Sequence, residues 1–191
     1  MKEKAFKEWA SVCEHLMRGR VAGLFRKGGL ADDPGTLTGP LGEFWLHPTA
    51  FHEQRSPLRQ GWEVDSSTIG WNQNLSPGTI PFPAWCLTTG CYHIKDLATA
   101  LILAQNSPWT DQVIETRFRY RAPGIYFHTL RVYLPNPVPM AGEDPGWQGC
   151  KSFHDVHLSK ADFNLTPVLT KDEYQREILR IEGILNPVAF A

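Results

Sequence analysis

The chain has 191 residues, is 42% hydrophobic and 20% charged, and carries a formal net charge of −1 at pH 7. That composition excludes wholesale disorder, and near-neutrality excludes a surface coated in positive charge of the kind that packages DNA without sequence preference. The length predicts one domain over 1–191, large enough to bury a core without a disulfide or metal staple.

The first residues, Met1-Lys2-Glu3-Lys4, open no apolar signal core. The longest apolar run, from Leu97 to Ala104, is far too short to span a membrane and contains Thr99. A cytoplasmic protein with no membrane association is therefore expected. Cys13, Cys86, Cys91 and Cys150 are expected to be reduced thiols. Cys86 and Cys91 lack the paired CxxC spacing of a zinc ribbon, so no metal or cofactor is expected.

Phe6, Trp9, Cys13 and Leu16 recur at helical spacing, which predicts a helix over 5–18 stopped by Gly19. Short strands follow at 20–25, ended by the Arg26-Lys27-Gly28-Gly29 turn, and at 44–47, stopped by Pro48. Residues 55–92 have little periodicity and three prolines, and read as a long packed or functional loop rich in Trp62, Trp71, Phe82 and Trp85. A second helix is predicted over 94–105, with Leu97, Ala98, Leu101 and Ile102 as its apolar stripe.

From Ile114 to Arg121 apolar and charged residues alternate, which predicts a strand with Arg117, Arg119 and Arg121 on its solvent face. The turn Ala122-Pro123-Gly124 joins it to a strand over 125–134, giving a hairpin. A further strand is expected within 150–158. A helix over about 170–184 starts at Thr170, with Glu173 completing a capping box and Tyr174, Ile178 and Ile181 facing inward. The whole reads as an α+β domain, with a curled antiparallel sheet or small β-barrel covered by N-terminal, central and C-terminal helices.

Four segments carry a family resemblance: Ala5-Phe6-Lys7-Glu8-Trp9-Ala10; Arg26-Lys27-Gly28-Gly29; Phe44-Trp45-Leu46-His47-Pro48-Thr49 with Phe51-His52-Glu53-Gln54; and Gly149-Cys150-Lys151-Ser152-Phe153. In order and spacing, over about residues 5–158, they resemble the bacterial family named domain of unknown function 1802. His47 stands where that family usually has an aromatic residue, and Phe153 where it usually has tryptophan; both read as packing sites. Some members are fused to Mrr-type restriction endonuclease domains, so the resemblance implies a restriction-endonuclease partner and a link to restriction or defence. It implies no catalytic residues.

Several residues invite a chemical role. Arg26 and Lys27 before Gly28 and Gly29 suit phosphate contact, side-chain charge acting beside open backbone N–H groups. The Arg117, Arg119 and Arg121 face suits a polynucleotide backbone. Trp45, Thr49, His52 and Gln54 add stacking and polar contacts in the same reading. Cys150 beside Lys151 is a candidate nucleophile, with His52 or His154 as base. The chain contains no Asp-x-Lys or Glu-x-Lys, which argues against a restriction-type nuclease site.

The leading reading is a nucleic-acid-recognition module. An enzyme acting on a phosphorylated small molecule or nucleotide is the second reading; it expects His52, Lys27 and Cys150 around one pocket. A protein-interaction module is the third, with 55–92 as its contact surface.

Overall fold

The computed structural model describes residues 2–27, 41–49, 58–64, 76–149 and 151–186. Its elements run β1 (Glu3–Trp9), α1 (Ala10–Met17), β2 (Gly23–Arg26), β3 (Glu43–Thr49), β4 (Thr79–Pro81), β5 (Trp85–Ile94), α2 (Leu97–Ala104), α3 (Asp111–Arg119), β6 (Ile125–Asn136), β7 (Met140–Gly142), β8 (Phe153–Val156), β9 (Asn164–Pro167) and α4 (Lys171–Leu185). Seven strands form one sheet in the order β2-β6-β5-β3-β1-β8, with β9 also paired to β6, while β4 and β7 form a separate ribbon. The fold is α+β, as expected.

The sheet curls without closing. β2 and β8 stand at the two ends of the path, and β1 lies four strands from β2. In a flat sheet four strand spacings would separate β2 from β1 by roughly 19 Å. Here Arg26, the last residue of β2, reaches across to Glu8 of β1 at 3.3 Å and to Ser152, just before β8, at 2.7 Å. Every pairing in the main sheet is antiparallel except β1 with β3.

Alternation along β1 and β3 divides the interior. Phe6, Phe44 and Leu46 enter the main core with the buried faces of α1 and α3, whereas Ala5 and Trp45 join Phe82, Trp85 and Val156 in a second cluster.

The structure corrects several expected elements. The predicted helix over 5–18 begins only at Ala10, and residues 3–9 form β1. β1 lies between β3 and β8 and buries residues on both faces, so it lacks the alternation that marks a half-exposed strand. β3 runs through Pro48 to Thr49. The loop expected over 55–92 contains β4 and the ten-residue β5, which pairs with β6 in place of the expected partner at 114–121.

That partner is instead the helix α3. Ile114 and Phe118 are its buried residues, and i, i+4 fits a helix face as well as one face of a strand. Thr116 decides between the two, because it is exposed and its hydroxyl donates to the Gln112 carbonyl at 2.8 Å. Asp111 in the first turn and Arg117 and Arg119 in the last complement the helix dipole. In α2 the buried residues are Ala100, Leu103 and Ala104, and Ile102 is exposed, so the stripe is rotated from the one expected. α4 matches its expectation, with the Thr170–Glu173 capping box formed and Ile181 buried.

Candidate functional site

β1 and β3 run side by side and end together, with Lys7 opposite His47 and Trp9 opposite Thr49. Their final residues open into a cavity of about 810 Å³, which Arg26 borders and Glu143, Trp147, Gln148, Gly149, Lys151 and Ser152 also line. That volume lies within the usual range for small-molecule sites.

The floor is a polar network around a buried carboxylate. Glu8 is 3% exposed; its Oε1 accepts from the Trp9 backbone N–H at 2.9 Å and its Oε2 from Arg26 Nη1 at 3.3 Å. Arg26 Nη2 donates to Ser152 Oγ at 2.7 Å, and the guanidinium lies 4.6 Å from the Phe6 ring centroid. Arg26 ties β2, β1 and the start of β8 together while bordering the cavity. Lys7 Nζ donates to the Gly149 carbonyl at 3.1 Å. Lys151 is exposed at the cavity wall.

Among the lining residues, His47 and Trp147 belong to an aromatic cluster. His47, Phe82, Trp147 and His154 pack together, with the Trp147 indole stacked on the His154 ring at 4.5 Å and 28°. Trp147 ends a 3-10 turn, Pro145–Trp147, capped by the Asp144 side chain. His47 Nδ1 lies 2.7 Å from His154 Nε2, and His154 Nδ1 lies 3.2 Å from the Asp155 carbonyl. Burial pushes the His47 imidazole down to about 3, aided by the neighbouring His154 and Lys7. Burial also lowers His154, opposed by its bond to the Asp155 carbonyl. Both rings are therefore neutral near pH 7.

Of the residues singled out from the sequence, Arg26, Thr49 and Lys151 line this cavity. Lys27, Trp45, Arg117, Arg119 and Arg121 do not line it. Lys27 donates to the Phe118 carbonyl at 3.1 Å and to the carbonyls of Ala122 and Gly124, closing the end of α3 rather than offering a phosphate site. Trp45 is fully buried, donating to Glu3 at 2.8 Å and packed edge-on against Phe163.

Arg117, Arg119 and Arg121 do not form one face. Arg117 stacks over Trp109 at 4.0 Å, and burial lowers its guanidinium to about 10 against the opposing charge of Glu8. Arg119 pairs with Glu115 at 2.9 Å across one helical turn. Arg121 has a left-handed backbone, φ 62°, and lies over its neighbour Tyr120. The strand face expected for these arginines is thus replaced by three separate settings. Gly28, Gly29, His52, Gln54 and Cys150 lie outside the described residues.

Sequence reasoning gave no role to Lys7, Glu8, Trp9 or Trp147. The first three stood inside the Ala5–Ala10 motif, where a helix reading hid their shared position at a strand end. Among the described residues no group of three or more His, Cys, Asp or Glu side chains could hold a metal ion.

The model of a family described as "Domain of unknown function (DUF1802)" matches residues 5–178, extending past the expected limit near 158 into α4. No curated protein matches. Among solved structures, the crystal structure of ASCH from Zymomonas mobilis is similar over 92% of this chain and 93% of its own, with a TM-score of 0.44 and 10% identity.

Proposed function

We propose, for a chain that belongs to the DUF1802 family, that it recognises nucleic acid and takes an unpaired nucleotide into the cavity at the ends of β1 and β3. The observation that carries this reading is the composition of that one cavity. Beyond the Arg26–Glu8 pair, Lys7 and Lys151 bring positive charge, partly offset by Glu143, to the same space as the indoles of Trp9 and Trp147. Cations suit phosphates, and indole faces suit bases regardless of sequence. An extended or extruded nucleotide offers both groups at once, and the volume accommodates it.

The chain acts in this reading as one domain in the cytoplasm, in the service of a restriction or defence system. Family fusions to Mrr-type endonuclease domains support that setting. The second reading, a phosphorylated small molecule handled by Lys27, His52 and Cys150, loses support because Lys27 is occupied by backbone carbonyls.

The test is a fluorescence-anisotropy titration with short single- and double-stranded DNA and RNA across a salt series. Micromolar binding to single strands is expected, weakening with salt by a log–log slope of about −0.7 for each phosphate contacted. Lys7→Glu and Lys151→Glu are each expected to weaken binding by about tenfold and to flatten that slope. Arg119→Ala, away from the cavity, is expected to leave it unchanged. No binding at low salt, or binding indifferent to both lysines, would sink the reading.

A further inference from the structure

We infer that His47 is a fixed hydrogen-bond acceptor in this cavity and selects a ligand with an N–H donor, which on the nucleic-acid reading, on which this rests, is the exocyclic amine of adenine, cytosine or guanine.

The inference follows from a chain of three groups. The Asp155 carbonyl can only accept, so His154 Nδ1, 3.2 Å away, carries the proton. A neutral imidazole has one N–H, which leaves a lone pair on His154 Nε2. His47 Nδ1, 2.7 Å from that lone pair, must then donate to it. The remaining nitrogen, His47 Nε2, is left as an acceptor. Its tautomer is set by a carbonyl two groups away.

That nitrogen faces usable space. Nε2 has no hydrogen-bond partner among the described residues, and it is not among the polar atoms sealed from solvent without a partner. His47 borders the cavity. Phe82 and Trp147 stand edge-on to its ring at 5.7 and 6.0 Å and bring no donor of their own to Nε2.

The same surroundings separate recognition from catalysis. An imidazole that stays neutral down to about pH 3 accepts a hydrogen bond readily but takes a proton poorly. His47 therefore discriminates among ligands and is not a general base. A ligand presenting a second acceptor at this point would leave two lone pairs opposed, and one lacking the donor would leave Nε2 unpaired.

Two measurements test this. Long-range ¹H–¹⁵N NMR of the histidine rings in the free protein, from pH 8 to pH 7, is expected to show His47 and His154 both protonated on Nδ1 alone throughout. A proton on His47 Nε2 at any of these values would overturn the inference, whatever the protein binds.

The second measurement is anisotropy with matched single strands that differ by one amine without added bulk: adenine against purine, cytosine against 2-pyrimidinone, guanine against hypoxanthine. At least one pair is expected to differ by about tenfold or more in favour of the amine. His47→Phe is expected to bring that ratio within about twofold, whereas His47→Gln, whose amide oxygen still accepts, keeps it. If H47F does not fold, the wild-type pairs decide alone. Equal affinity within all three pairs overturns the role of His47 and spares the parent reading. Failure of every strand to bind removes the parent reading and takes the base-edge assignment with it.

Discussion

At the scale of single residues, Glu8 shows how a buried charge is made tolerable. Its carboxylate, 3% exposed, is held by Arg26 and a backbone N–H. Removing the cation with Arg26→Met leaves that carboxylate buried and unpaired, which costs about 3–5 kcal/mol. The double change Glu8→Gln/Arg26→Met removes the orphan as well and is expected to recover much of that loss in urea denaturation. Equal destabilisation by the single and double changes would mean that the pair is not coupled.

The histidines give stability a pH dependence of definite sign. His47 and His154 have lower pKa values folded than unfolded, so between the folded value and 6.5 the unfolded chain binds the extra protons. Their full contribution is present above 6.5 and is lost as pH falls below it, in His47 down to about 3. The groups facing the pair are Lys7, Asp144 and Asp155. His47 alone is expected to cost about 2 kcal/mol between pH 6.5 and pH 5. Urea denaturation at the two values checks this, with His47→Gln expected to abolish that share.

Arg26 was legible in the sequence as a cation at a turn, but its partners, 18 and 126 residues away, were not. Lys27 looked equally available. Its consumption by carbonyls 91 to 97 residues distant leaves no local trace.

At the scale of elements, legibility followed locality. The α4 start was readable because a capping box lies within four residues. β6 was readable from its run of aromatic and β-branched residues. α3 was misread because i and i+4 belong to both periods, and β1 because a strand flanked on both sides loses its alternation.

β2 carries a requirement that a single sequence does not advertise. A Cβ placed on Gly23 would meet the His128 carbonyl at 2.5 Å and the Phe127 ring at 2.7 Å. The glycine serves close approach of β2 to β6, not an unusual dihedral angle. Gly23→Ala is expected to destabilise by about 1–3 kcal/mol, because the obstacle is partly backbone and yields little. It should also displace Arg26 at the far end of the same four-residue strand. A lowered melting temperature, together with weakened single-strand binding in protein that is still folded, would report both effects. An unchanged melting temperature would show that β2 and β6 tolerate separation.

At the scale of the whole molecule, the α+β class and the sheet's curl were legible from element types, while the parallel β1–β3 pair was not, because half of it had been read as helix. The cavity was hidden for the same reason. It exists where those two strands end together, and no segment of the chain contains it. Among the described residues no helix is long and apolar enough to cross a membrane.

The position of β1 has a consequence for the chain as it is made. The first strand lies against β3 on one side, but its other edge waits for β8, at Phe153–Val156. During synthesis β1 precedes β8, and that edge stays without its partner until β8 has followed. Any product ended prematurely before β8 keeps an open strand edge, a ready template for pairing between chains. Fragments that end before β8 would therefore self-associate instead of staying inert, whereas fragments that include β8 can cover that edge.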